Sequence, residues 1–396
     1  HDGGPIHFNV PFREPLSCAS DLTVLPASAP ETTMFSEAQK ITQIASVVEG
    51  LAAAHRPLIV CGPREMNDGF GQAVHALGRS LKVPVIAEAA SNARFGFGDS
   101  IALYDTWLRH ESIAEANRPD FVVRFGGAIT QKQLSTWIDT SNARTVVVSE
   151  RGQIADSQHA AQCIVEGNAV AVCQALMNGA PNAGDFKKTL GEIDGRLRSA
   201  WGDMPTQFSE PFIAREIVSA LPARSSLFLS SSMPIRDVDA FAPSGAADIR
   251  VFANRGVNGI DGIMSTAVGV SVGTGRPTVL MVGDVALLHD VSGWLVARDS
   301  EVPLVVVVIN NDGGGIFHFL PVVDHTPHFE RLFATPHHVE LSHVSLLAGA
   351  AFTRVNDLPT LRSEITTRLK SGRHLIEVKT ERASNVQAHR AIHGRL

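Results

Sequence analysis

Two short polar clusters in this 396-residue sequence carry the residue types that hold a metal-bound phosphate. Gly283-Asp284 follows the apolar run Thr278–Val282, and Asn310-Asn311-Asp312-Gly313-Gly314-Gly315 follows Leu304–Ile309. A hard divalent cation takes oxygen ligands in an octahedron and keeps places for phosphate oxygens and water. The Asp284 carboxylate, the Asn311 amide oxygen and a backbone carbonyl in the glycine run would supply three of them. The glycines let backbone approach a ligand closely and permit positive φ without steric cost. Singly, a Gly-Asp pair after a strand and an Asn-Gly cluster are ordinary turn chemistry. Together, at the carboxyl ends of two buried strands and with Asn311 27 positions after Asp284, they predict a metal-diphosphate site.

The elements that must position these clusters read as α/β. Short apolar strands at Pro57–Val60, Val83–Ile86, Phe121–Val123 and Thr145–Val148 are separated by helical segments, the first of them spaced Ile41, Ile44, Val48, Leu51. A second series runs through Leu227–Leu229, Ile249–Phe252, Thr278–Val282, Leu304–Ile309, Ala351–Val355 and His374–Val378. Continuous apolar strands alternating with helices imply parallel sheets covered on both faces. Ser209 is placed to N-cap a helix bearing Ile213, Ile217, Val218 and Leu221, with Pro211 in its first turn. A helix through Leu361, Ile365 and Leu369 is expected to stop at Gly372. The Ser/Pro/Ala-rich stretch from Ser17 to Glu31 reads as a linker. The Gly-, Asp- and Lys-rich stretch from Gly179 to Met204 reads as a second boundary.

Composition bounds the function. Hydrophobic residues make up 44% and charged ones 19% of the chain, a globular profile that excludes a disordered, coiled-coil or collagen-like chain. The net charge of -6, with no basic cluster, argues against nucleic acid and anionic membrane as partners. No apolar run approaches the roughly 20 residues of a membrane span. Cys18, Cys61, Cys163 and Cys173 form no C-x-x-C and no disulfide framework, so a reducing, cytoplasmic setting is expected. His318, His325, His328, His337, His338 and His343 crowd one region, but their spacing matches no zinc motif. No Ser-His-Asp or Cys-His set competes for a catalytic role, and no G-x-G-x-x-G follows a strand to suggest a nicotinamide cofactor.

The two clusters together resemble the thiamine diphosphate signature, a Gly-Asp pair and a later Asn-Asn pair closing a Mg²⁺ site. Longer blocks narrow the resemblance: Asn254-Arg255-Gly256-Val257-Asn258-Gly259-Ile260-Asp261-Gly262, Gly283 to Asp290, Asn311 to Phe317, Phe333-Ala334-Thr335-Pro336-His337 and the opening Gly4 to Leu16. They are similar, over essentially the whole chain, to the 2-succinyl-5-enolpyruvyl-6-hydroxy-3-cyclohexene-1-carboxylate synthases of menaquinone biosynthesis.

That resemblance implies two doubly wound parallel-sheet α/β domains of the thiamine diphosphate-binding superfamily, a central one over 17–204 and a diphosphate-binding one over 205–396. Residues 1–16 would be the tail of a missing N-terminal pyrimidine-binding domain, with Pro5–Val10 its last strand. It implies Mg²⁺ or Mn²⁺ on Asp284, Asn311 and the Gly313 carbonyl. The cofactor would also meet Ser231, Ser232, Asn258, Gly283, Ala286 and Ile316, with Ile260 as the apolar wedge that bends it. Lys132, Ser232, Arg236 and Arg255 would bind substrate, and Ile316, Phe317 and Leu320 would line an apolar pocket. Some relatives carry Lys-Arg where this chain has Lys132-Gln133.

The implied reaction decarboxylates 2-oxoglutarate and adds the four-carbon unit to isochorismate. Both are dicarboxylates, for which an Arg fork is suited. The catalytic glutamate is expected in the missing domain and no catalytic residue in this chain, which alone would be inactive. A homo-oligomer, dimer or tetramer, is expected because the family builds its site between subunits. Alternatives are another thiamine diphosphate enzyme of acetolactate synthase type, and a non-catalytic cofactor-binding fragment.

Overall fold

A computed structural model describes residues 44–65, 68–150, 161–179, 184–245, 247–298 and 301–395. The expected strand Pro5–Val10, the linker Ser17–Glu31 and the start of the first helix at Ile41 lie outside the described residues.

The first sheet contains β1 (Pro57–Cys61), β2 (Val85–Ala87), β3 (Phe121–Phe125), β4 (Arg144–Ser149) and β5 (Cys163–Glu166). Their order is β2-β1-β3-β4-β5, and every pairing is parallel. β1 and β3 are buried at every position, as strands covered on both faces must be. β2 begins two residues later than expected, beyond Pro84, which lacks the N–H a ladder needs. β5 is an addition to the expected strands, because Cys163-Ile164-Val165-Glu166 is too short a run to declare itself.

The second sheet contains β6 (Ser225–Leu229), β7 (Ile249–Phe252), β8 (Thr278–Gly283), β9 (Leu304–Asn310), β10 (Ala351–Val355) and β11 (Arg373–Lys379). It is parallel throughout, in the order β10-β11-β9-β8-β6-β7. The chain moves from β6 to its edge neighbour β7, returns past β6 to β8, and continues outward through β9. The order therefore reverses between β6 and β8, and open α/β sheets bind ligands in the crevice beyond the strand ends at such a point. Register sets those ends level: Leu229 pairs with Met281 and Gly283 with Ile309. Residues 230–231, 283–284 and 310–311 consequently emerge side by side.

One core cluster joins the two sheets: Leu58, Val60 and Ile86 from the first, and Leu227, Val279 and Val305 from the second. The helix Phe186–Gly202 lies within it through Leu190, Leu197 and Trp201. Within the stretch expected to be a boundary, Phe186–Gly202 is a 17-residue helix, whose apolar residues recur at helical spacing within a polar composition. Ser209 does occupy the N-cap of the helix Glu210–Ala220, but its side chain makes no capping bond. The helix Leu358–Arg368 ends before Gly372, which takes φ +76° in the turn that follows. The three described cysteines are buried and free. No described helix is long and apolar enough to cross a membrane.

Candidate active site

At the strand ends where the second sheet reverses lies a cavity of about 340 Å³. All ten residues expected at the cofactor line it, from Ser231 and Ser232 beyond β6 to Gly313 and Ile316 beyond β9. Arg236, Arg255 and Phe317 line it as well. Lys132 and Leu320 are not brought to it. Lys132 is exposed at the start of the helix Lys132–Thr140, and its neighbour Gln131 is the one that turns inward, donating from Nε2 to the Arg236 carbonyl at 3.0 Å. Leu320 is 47% exposed, directed outward where one short helical turn hands over to the next.

The expected metal donors converge. Asp284 is 2% exposed, and its carboxylate accepts from the backbone N–H of Val285 at 2.7 Å and of Gly313 at 2.9 Å. Burial raises its carboxyl above the ordinary range, while those two bonds and His337 oppose the shift. Gly313 takes φ +141°, and a Cβ there would fall 2.1 Å from the Ala334 carbonyl oxygen, so the close approach of the segment Glu330–Ala334 demands glycine. The Gly313 carbonyl accepts from the Gly315 N–H at 3.0 Å and retains a second lone pair.

Asn311 is held by a residue that the sequence alone does not single out. Its Nδ2 donates to Glu210 Oε1 at 3.0 Å, so its Oδ1 faces the other way, buried and without a hydrogen-bond partner. Glu210 is itself locked, accepting from Thr380 Oγ1 at 2.7 Å and Asn385 Nδ2 at 2.8 Å. A carboxylate, an orphaned amide oxygen and a free carbonyl lone pair are the donor set a hard cation needs. The residues present therefore fit the group the resemblance implies. His337 is a second neighbour of this set that sequence reading does not place there: its Nε2 lies 3.2 Å from Asp284 Oδ2. Among the described residues, no group of three or more His, Cys, Asp or Glu is placed to hold a metal, so the crowded histidines form no centre of their own.

Two cations line the same cavity. Arg236 and Arg255 are both partly buried, and burial lowers both guanidinium groups from their usual value. Arg236 donates to the Ser232 carbonyl, while Arg255 Nε is buried with no hydrogen-bond partner. Ser232 sits at φ +77° between β6 and the helix Met233–Phe241. Backbone held in so sparsely populated a region for a non-glycine residue is characteristic of ligand sites.

Within electrostatic reach of Arg255 lies an interlocked acid-base set that includes Glu88 and Asp239. Arg94 is fully buried and donates to Asp239 Oδ1 at 2.8 Å and to the carbonyls of Asp239 and Ala102. Tyr104 Oη donates to Asp239 Oδ2 at 2.5 Å. Glu88 accepts from the N–H groups of Thr130 and Gln131 at 2.6 and 3.1 Å. Burial first, then the neighbouring Asp239, pushes Glu88 up to about 8.

Comparisons with known proteins place the chain in a family. The family description "Middle domain of thiamine pyrophosphate" matches residues 32–229, and "Thiamine pyrophosphate enzyme, C-terminal TPP binding domain" matches residues 248–378. A solved Mycobacterium smegmatis structure described as a thiamin diphosphate-dependent enzyme superposes with a TM-score of 0.61 at 16% identity, over 87% of this chain and 65% of that one; it shows the fold. A 2-succinyl-5-enolpyruvyl-6-hydroxy-3-cyclohexene-1-carboxylate synthase from Myxococcus xanthus is 45% identical over 99% of this chain and 70% of its own length. One from Geobacillus kaustophilus is 36% identical over 98% of this chain and 70% of its own length. The chain therefore belongs to the 2-succinyl-5-enolpyruvyl-6-hydroxy-3-cyclohexene-1-carboxylate synthase family of thiamine diphosphate-dependent enzymes.

Proposed function

We propose that this chain provides the diphosphate, metal and carboxylate contacts for a reaction that decarboxylates 2-oxoglutarate and joins the remaining four carbons to isochorismate. The product would be 2-succinyl-5-enolpyruvyl-6-hydroxy-3-cyclohexene-1-carboxylate, with release of carbon dioxide. One observation carries the reading beyond cofactor binding. Arg236 and Arg255 line the same cavity as the metal donors, and no described carboxylate forms an ion pair with either guanidinium. Partly buried cations left unpaired beside a diphosphate site suit a substrate that brings its own carboxylates.

When bound, thiamine diphosphate supplies a nucleophilic thiazolium carbon and the electron sink for decarboxylation. Holding, orienting and drying the reactants fall to the chain's own residues. Asp284, Asn311 and the Gly313 carbonyl would hold Mg²⁺ or Mn²⁺ against the diphosphate, with Ser231, Ser232, Asn258, Gly283 and Ala286 around it. Ile260 would pack against the cofactor's body, and Ile316 and Phe317 would exclude water from the reacting end. Arg236 and Arg255 would orient substrate carboxylates, and Ser232, between the diphosphate side and Arg236, would serve both.

We also read the chain as one subunit of a cytoplasmic dimer or tetramer. Support for self-association comes from apolar side chains left in solvent on neighbouring helices, among them Val272, Leu295, Val296 and Leu346.

Two results follow from the assigned roles. Arg255→Ala should raise KM for a carboxylate substrate ten- to hundredfold, the worth of a lost charge-assisted contact of about 1.5–3 kcal/mol. Calorimetric titration should show thiamine diphosphate affinity near wild type; equal losses for substrate and cofactor would refute this division of labour. Glu210→Ala should weaken Mn²⁺ binding in the presence of thiamine diphosphate by about 10–100-fold, the usual effect of losing the group that orients a ligand. Affinity unchanged in a Mn²⁺ titration would show that Asn311 needs no such support.

A further inference from the structure

Asp237 is the one acidic residue of the cavity with neither carboxylate oxygen engaged, among those described. It lines the cavity and is 1% exposed, and both oxygens are buried without a hydrogen-bond partner. An isolated buried carboxylate is too costly to persist charged. His389 Nε2 lies 3.3 Å from Oδ1 and is likewise without an aligned partner. His389 is clamped in place, its ring 4.8 Å from that of Phe241 and 4.9 Å from that of Phe319.

The charges facing the pair come from every element around it. Burial raises the Asp237 carboxyl well above its ordinary range; Glu210 and Asp105 push it the same way and Arg236 opposes them. Burial, then Arg109, lowers His389 to about 3, so its ring is neutral. Two neutral groups 3.3 Å apart can share the contact in either sense. The sense that leaves a donor for the cavity has Nε2–H directed to Asp237 Oδ1 and the acid proton on Oδ2.

We propose that Asp237, positioned by His389, donates a hydrogen bond from the cavity wall to a carboxylate or carbonyl oxygen of the bound substrate, beside the cation of Arg236. This rests on the carboxylate-binding reading above and adds to it a neutral donor one residue from Arg236 on the same helix. A cation alone attracts any anion, whereas a cation beside an acid hydrogen selects an oxygen that can accept from both.

The test compares Asp237→Leu with Asp237→Asn, whose amide keeps an acceptor for His389 and a donor for the substrate. Asp237→Leu should raise KM for 2-oxoglutarate or for isochorismate ten- to hundredfold, and the substrate that responds identifies the oxygen. Asp237→Asn should restore that KM, and His389→Phe should raise it in the same direction while keeping the ring packing. Independently of activity, the infrared spectrum at neutral pH should contain a protonated carboxyl band that Asp237→Asn removes. A missing band, or an Asn variant as impaired as the Leu variant, would overturn the proposal. Failure of the wild-type protein to bind thiamine diphosphate would instead sink the cofactor reading beneath it.

Discussion

Replacing Asp284 by Ala is expected to weaken Mg²⁺-dependent binding of thiamine diphosphate by more than about a hundredfold. Loss of a group that merely orients a ligand costs 10–100-fold, and Asp284 is the only charged member of the expected donor set. Without metal, the same substitution should leave the fold at least as stable. The carboxyl is buried and held above its ordinary range, so ionising it in the folded state opposes folding. Cofactor titrations with Mg²⁺ present and thermal unfolding with Mg²⁺ chelated read the two halves separately. Unchanged cofactor affinity would contradict the metal assignment; lost stability without metal would show that Asp284 holds the fold rather than a ligand.

The largest effect on stability should come from Arg94, which stands between the two sheets. It is fully buried, and its donors reach Asp239 and the carbonyls of Ala102 and Ala242. Arg94→Met keeps most of the volume but strands Asp239, whose remaining partners include Tyr104 Oη, the Ala89 N–H and the Gln131 side chain. Breaking one side of a buried pair costs about 3–5 kcal/mol. Removing both sides is far milder, so Arg94→Met/Asp239→Asn should recover much of the loss. Arg94→Lys should not, because a single ammonium cannot span the acceptors a planar fork reaches. Denaturant unfolding of these variants beside the wild type checks this; an additive double variant would show that the two residues act independently.

The site is largely legible in the sequence wherever its signal is local. β8 and β9 are apolar runs ending in Gly-Asp and in Asn-Asn followed by glycines, and a strand end is where such residues face a crevice. Asp284, Asn311 and Gly313 therefore lie where the spacing puts them. The same holds for Arg255, set between Asn254 and Gly256 at the end of β7. Single residues whose meaning arises by convergence are not legible in this way. Glu210 is 101 positions from the Asn311 it orients, and nothing about a Glu at a helix start distinguishes it from an ordinary first-turn acid. Asp237 and His389 are 152 positions apart, and no local pattern joins them before packing buries both. Lys132 does not reach the cavity in this structure, since the helix start aims Gln131 inward and leaves Lys132 outside. The composition of the Gly179–Met204 stretch argues for a boundary because its apolar residues are sparse, yet Phe186, Leu190, Leu197 and Trp201 fall on one helical face.

The oxygens of Asp284, Asn311 and Gly313 are assigned to one cation that ties a diphosphate to the ends of β8 and β9. Manganese anomalous diffraction from crystals grown with Mn²⁺ and thiamine diphosphate tests that assignment most directly. A single strong peak within ligand distance of Asp284, Asn311 Oδ1 and the Gly313 carbonyl, with diphosphate density beside it, is the expected result. A peak elsewhere in the molecule, or diphosphate bound with no metal between these three residues, would contradict it.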